Sequence, residues 1–257
     1  MKKAILMVSF GTKHREKLER SIGSIEAYLK KQFGNYAVYR AFTSQRIIQK
    51  LWDESGIAVP SLEEAMIQMQ KDGIEHVVVQ PTYVVYGLEY ERLKDALEDY
   101  QERFRTLRLG TPLLDQVEDY KACVHNMIED WQIRRDEVIV VAGHGTKGYA
   151  QSAYAMLEYV FHSMGYSNVL VGTVNGYPNV VDVMQKLRCL KPRPLRIIPF
   201  MIVSGEHVSA SLTDGEKSWL FRFQQMGFPT VVVDRGLGEM EGIRRIFAEH
   251  IKEAMES

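Results

Sequence analysis

Short apolar runs alternate along this chain with longer stretches of helical period. Ala4 to Phe10 is a short apolar run closed by Gly11, the pattern of a buried parallel strand. Leu18, Ile22, Ile25 and Leu29 then recur at helical spacing within residues 14–33. Tyr36 to Ala41 reads as the next strand, and Thr43-Ser44 caps a helix holding Ile47, Ile48 and Leu51. After Pro60-Ser61 a helix is expected to run to about Asp72, where Gly73 stops it. His76 to Gln80 predicts a strand, Pro81 to Gly87 a loop, and Leu88 to Phe104 a charged amphipathic helix. Leu107 to Gly110 and Asp115 to Trp131 give a further strand and helix.

Arg134-Arg135-Asp136-Glu137 is a charged connector, after which the pattern starts again. Strands are predicted at Val138–Ala142, Asn168–Val174, Leu195–Pro199 and 230–234, and helices at 150–164, Val180–Leu187, 215–226 and 239–255. The segment Phe200 to His207 reads as a loop. Such β-α alternation predicts an α/β fold with parallel sheets flanked by helices. The expected division is an N-terminal α/β lobe over 1–133 and a C-terminal one over 134–257.

The two halves share more than rhythm. MVSFGTK (Met7–Lys13) is echoed by VAGHGTK (Val141–Lys147). VVVQPTYVVYGLE (Val77–Glu89) aligns with LRIIPFMIVSGEH (Leu195–His207), matching Pro81 to Pro199 and Gly87 to Gly205. Landmarks repeating in one order imply a duplicated lobe. The alignment sets Phe10 against His144 and Glu89 against His207. Ligands of open α/β sheets bind beyond the carboxyl ends of the strands. All four positions are therefore expected to open towards one cleft between the lobes.

Composition narrows the function. The 257 residues allow one large domain or two lobes of about 125 residues. A formal net charge of −1, with 46% hydrophobic and 25% charged residues, describes an ordinary globular protein and argues against a nucleic-acid partner. Cys123 and Cys189 lie far apart, giving no thiolate metal site and fitting a reducing cytoplasm. The opening Met1-Lys2-Lys3 with its apolar run is expected to be a first strand, not a signal peptide. No stretch approaches the roughly 18 apolar residues of a membrane span.

Several chemistries compete for the strand ends. Gly143-His144-Gly145-Thr146-Lys147-Gly148 matches the dinucleotide fingerprint GxGxxG, but the following strand ends at Asn175 and lacks the acid that holds a ribose. No GxSxG elbow and no GxxxxGK[ST] loop are present. Two His and one Glu suit a divalent transition ion with positions left open, although no local HExxH gathers them. His144, flanked by glycines, and His207, after Gly205, are the better-placed imidazoles. His76, His125, His162 and His250 read as structural, and His14 stays open. Glu89 sits in a first helical turn, where carboxylates are favoured in any case; its match to His207 raises it above Glu91. Tyr83, Tyr86 and Tyr90 are positioned either to flank a flat ligand or to pack. Lys13, Lys147, Arg46 and Arg92 are the cations available to ligand carboxylates.

The segments VSFGTK, RAFTSQRIIQKL, YGLEYE, GHGT and PFMIVSGEH together resemble the anaerobic sirohydrochlorin cobaltochelatases, class II chelatases related in fold to protoporphyrin ferrochelatase. The resemblance runs from Lys2 to the final helix. It implies a bilobal fold with the active site between the lobes, and insertion of Co²⁺ into sirohydrochlorin without ATP, on the anaerobic route to cobalamin. It also implies a metal site of His144, Glu89 and His207, the three residues the internal alignment singles out. The metal is then substrate, no permanently bound cofactor is expected, and the partners are sirohydrochlorin and the ion. Members commonly carry His and Asn where this chain has Tyr83 and Tyr86, which leaves metal preference open between Co²⁺, Fe²⁺ and Ni²⁺. Ser9, Phe10, Gly11 and Thr12 are expected to line the wall opposite His144, with Gly145, Thr146 and Tyr86 as further substrate contacts and Lys13 and Lys147 meeting carboxylates. A tetrapyrrole or metal carrier without turnover is the alternative from another class. Oligomeric state stays open, since no heptads occur but the helix face at 239–255 is available for burial between subunits.

Overall fold

The computed structural model describes residues 2–256, with the side chains of residues 206–209 outside the description. In chain order the first elements are β1 (Lys3–Ser9), α1 (Arg15–Lys17), a π-wound turn (Leu18–Gly23), α2 (Ser24–Gln32), β2 (Ala37–Phe42), α3 (Gln45–Ser55), α4 (Leu62–Lys71), β3 (His76–Pro81), α5 (Leu88–Glu98) and β4 (Thr106–Leu109). There follow α6 (Val117–Asp130), β5 (Val138–Gly143), α7 (Ser152–Ser163), β6 (Val169–Thr173), α8 (Val180–Leu187), β7 (Leu195–Phe200), α9 (Glu206–Thr213), α10 (Trp219–Gln225), β8 (Thr230–Val232) and α11 (Glu241–Glu256). None of the described helices is long and apolar enough to cross a membrane.

The strands form two four-stranded sheets of the same order, β2-β1-β3-β4 and β6-β5-β7-β8, and every pairing is parallel. Ala4 to Val8 and Val138 to Ala142 are wholly buried, which is why both central strands read as continuous apolar runs and do not alternate. The registers repeat as well. Val8 pairs with Pro81 in the first sheet, and Ala142 with Pro199 in the second. Phe10 and His144 consequently leave equivalent strands at equivalent points, and the duplication expected from sequence is present in the hydrogen-bond register.

Local chemistry sets the helix ends. Ser44 accepts the Ile47 amide at 3.4 Å to open α3, and Gly56, at φ 66°, closes it. Ser61 and Glu64 form a reciprocal capping box at α4, with bonds of 2.8 and 3.2 Å. Helix α9 begins inside the predicted loop: Gly205 is its N-cap, and its sequence EHVSASLT has too few apolar residues to show a period. The helix expected to run to Phe104 stops at Glu98 and continues as a short 3₁₀ turn.

The expected division at 133/134 gives way to a different grouping: Met1–Asp115 with Glu241–Ser257, and Gln116–Met240. The helix after β4 belongs to the second unit and the helix after β8 to the first. The physical reason lies in their buried faces. Ile243, Phe247 and Ile251 of α11 are fully buried, and Arg108 of β4 donates to the Ala254 carbonyl at 3.2 Å and to that of Met255, capping the last turn. Helix α6 packs instead on α7. In the second unit, Glu137 and Arg196 form a mostly buried ion pair at the start of the sheet, their side chains 12% and 24% exposed.

Candidate metal centre

In each sheet the chain leaves the second-ranked strand on one side and returns on the other, so the carboxyl ends of β1/β3 and β5/β7 are topological switch points. At the first, three strand ends are laced together. Thr82 donates its amide to the Val8 carbonyl at 2.8 Å, Thr43 donates to Ser9 O at 2.9 Å, and the Ser9 and Thr82 hydroxyls meet at 2.7 Å. Ser9 is therefore buried and engaged, and so is Thr12, whose hydroxyl accepts the His14 amide at 3.3 Å. Phe10 by contrast is 47% exposed, an apolar face left in solvent. Lys13 is ion-paired with Glu54 at 3.4 Å and only 17% exposed, which weakens it as a carboxylate-binding cation.

Glu89 is the second residue of α5, whose N-cap is Gly87. Its carboxylate meets Arg92 at 3.3 Å in an exposed pair, an interaction of small worth that is readily exchanged for another partner. Tyr83 lies in the preceding loop. Burial pushes its hydroxyl up to about 12, with the Glu89 charge adding to the rise and the Thr43 hydroxyl, at 3.3 Å, opposing it. Tyr86 donates to Asp115 Oδ1 at 2.6 Å, and its ring stands edge-on to Tyr90 with centroids 4.7 Å apart. The loop is further held by the Leu113 and Leu114 amides, bonded to Tyr83 O and Val84 O. Glu89 thus rises from a braced loop.

In the second unit His144 follows β5 and is exposed. Its Nδ1 lies 3.0 Å from the Gly145 carbonyl. A carbonyl only accepts, so Nδ1 carries the proton, and in neutral imidazole the lone pair is left on Nε2. That is the tautomer a metal ligand needs, fixed by a partner on the other ring nitrogen. Gly145 and its counterpart Gly11 both take positive φ, 86° and 105°, so the repeated turn keeps its geometry as well as its letters. A Cβ on Gly145 would stand 2.5 Å from the Asn175 carbonyl oxygen. Gly145→Ala is therefore expected to lower unfolding stability by at least about 2 kcal/mol in chemical denaturation. A wild-type midpoint would show instead that the turn relaxes at little cost.

His207 is the second residue of α9, after the N-cap Gly205; its side chain lies outside the described residues. The backbone still repeats the Glu89 arrangement. Gly87 N bonds to Val85 O at 2.7 Å, and Gly205 N to Val203 O at 2.8 Å, so both loops enter their helices through the same tight turn. Within the first unit Ser9, Phe10, Gly11 and Thr12 share the switch point. Within the second unit Gly145 and Thr146 lie against the loop after β6. Among the described residues no three His, Cys, Asp or Glu form a ready metal cluster.

Two supporting residues carried no sequence signal. Tyr154 accepts the Gly145 amide at 3.1 Å and, buried in α7, has its hydroxyl pushed up to about 12; from sequence it is one more core aromatic. Asp115, which holds Tyr86, sits where a helix start was expected.

The family model described as cobalt chelatase (CbiK) matches residues 3–256. A sirohydrochlorin cobaltochelatase of Salmonella typhimurium is 32% identical over 257 residues, spanning 99% of this chain and 97% of the relative. The sirohydrochlorin cobaltochelatase CbiKC of Nitratidesulfovibrio vulgaris is 27% identical over 260 residues, spanning 99% and 91%. The sirohydrochlorin chelatase SirB from Bacillus subtilis subspecies spizizenii, solved in complex with cobalt, superposes with a TM-score of 0.70 at 15% identity, covering 100% of this chain and 96% of that one. At that identity the likeness speaks for the fold.

Proposed function

The chain belongs to the cobalt chelatase family, and we propose on that premise that it inserts Co²⁺ into sirohydrochlorin without ATP, receiving the ion on His144, His207 and Glu89. The observation that carries the reading is the match over residues 3–256, which takes in all three proposed ligands. The local geometry supports it. His144 offers Nε2, Glu89 exchanges a weak pair with Arg92 for the ion, and His207 occupies the helix position that Glu89 occupies in the other unit.

Insertion requires the macrocycle to lose its pyrrolic N–H protons as nitrogen–metal bonds form. An imidazole or the Glu89 carboxylate of the site takes them, both being side chains that serve as general bases. Tyr83 does not, because its hydroxyl titrates near 12 and stays protonated. Tyr83→Phe is accordingly expected to leave the pH–rate profile in place between about pH 6 and 9; a displaced limb would make the phenol the base. Exposed Lys147 is the better partner for substrate carboxylates, with Lys13 already paired to Glu54.

Imidazole and carboxylate also accept Fe²⁺ and Ni²⁺, so the test compares metals. Under anaerobic conditions, sirohydrochlorin metallation followed by its visible spectrum is expected to pass many equivalents of product per protein with Co²⁺, above the uncatalysed rate. Product halting at one equivalent would identify a carrier and overturn the enzymatic reading.

A further inference from the structure

Two aromatic side chains in the second unit reach into solvent from the loops fastened to the His144 turn. Tyr149 is 99% exposed and Tyr177 62% exposed. They arise from different loops, the one after β5 and the one after β6, both at carboxyl ends of strands. These loops are fastened to each other. Gln151, two residues beyond Tyr149, accepts the Tyr177 amide on Oε1 at 2.9 Å and donates to the Gly148 carbonyl at 3.4 Å. One residue pair further in, the Asn175 amide bonds to the carbonyl of His144 itself at 2.8 Å. Both tyrosines are thereby held in register with His144.

We infer that Tyr149 and Tyr177 are substrate-positioning residues whose rings take up the flat face or rim of the tetrapyrrole beside His144, an assignment that rests on the chelatase reading. Leaving an aromatic ring wholly in water forgoes the burial that normally fixes its place. A flat conjugated ligand supplies that burial with ring-on-ring contact, whatever its peripheral substituents. The partner is a macrocycle and not a second protein copy because the rings stand on the loops that hold the metal-ligand turn, at the end of the sheet where ligands bind. Phe10, exposed at the equivalent strand end of the first unit, shows that apolar exposure at such ends is a repeated feature.

The test is titration of metal-free sirohydrochlorin, by its absorbance and fluorescence, into wild type, Tyr149→Ala, Tyr177→Ala, the double Ala variant and the double Phe variant. Each Ala change is expected to raise Kd about tenfold, the usual cost of removing one stacking ring, while Phe at both positions binds within about twofold of wild type. Titration with Co²⁺ alone is expected to be the same for all, and thermal melts are expected to stay close to wild type because both residues are mostly exposed. A double Ala variant that binds sirohydrochlorin like wild type overturns the inference while the function stands; so does a variant altered only in its association state. A wild type that does not bind sirohydrochlorin overturns the function and this inference together.

Discussion

Replacing His144 by Ala is expected to lower the rate of Co²⁺ insertion by more than about a hundredfold. Loss of a residue that merely orients a ligand costs 10- to 100-fold in affinity or activity, and loss of the ligand itself costs at least as much. The change should act on metal capture and not on folding. The side chain is exposed, and its hydrogen bond is to the carbonyl next to it. The variant should therefore melt like wild type and still bind metal-free sirohydrochlorin, while its dependence on Co²⁺ concentration shifts upward. His144→Gln, which keeps a polar group but no imidazole nitrogen, should fall close to the Ala variant. Insertion by His144→Ala within a few-fold of wild type would remove this residue from the ligand set.

The largest stability effect is expected at the opposite end of the second sheet, where its strands begin. Glu137 accepts from Arg196 Nε at 2.8 Å, from its terminal Nη2, and from the Arg134 amide at 3.0 Å. Arg196 also donates to the Trp131 and Gln132 carbonyls at 3.0 and 3.4 Å. The network therefore ties the end of α6 to β5 and β7. Glu137→Ala strands a largely buried guanidinium without its counter-charge, a change that costs about 3–5 kcal/mol when one partner of a buried pair is removed. The lower end is expected, because Arg196 keeps its carbonyl partners and about a quarter of its side chain is in solvent. Urea unfolding followed by tryptophan fluorescence reads it directly, and Trp131 sits beside the pair. Replacing both charges, as Glu137→Leu with Arg196→Met, should recover much of the loss. A Glu137→Ala midpoint equal to wild type would show that the pair contributes nothing.

Much of this architecture is legible in sequence because its causes are local. A strand buried on both faces must be a continuous apolar run, and Ala4–Val8 and Val138–Ala142 are. The Pro81/Pro199 match is a match of register, since each proline faces the residue two before its unit's Phe10 or His144 position. The Glu89/His207 match likewise survives as the second residue of a helix entered through the same glycine turn. What sequence concealed depends on partners distant in the chain. Helix α11 joins the first unit through Arg108 and a face that any neighbouring sheet would have satisfied. The exchange of α6 and α11 leaves no trace in periodicity, so the boundary at 133/134 followed chain order instead of contacts. Tyr154 and Asp115 brace the His144 turn and the Glu89 loop through hydrogen bonds to Gly145 and Tyr86, which no residue pattern announces. The tyrosines at 149 and 177 are in the same class: their exposure, not their identity, is what marks them.

The claim at the centre of this account is the proposed ligand set, one Co²⁺ ion on His144, His207 and Glu89. X-ray absorption at the cobalt edge of the anaerobic Co²⁺ complex tests it most directly, with His144→Ala, His207→Ala and Glu89→Ala measured alongside wild type. The prediction is a single bound ion with imidazole and carboxylate ligands, losing an imidazole contribution in either His variant and an oxygen ligand in Glu89→Ala. A cobalt environment unchanged by Glu89→Ala, or by His144→Ala, would contradict it.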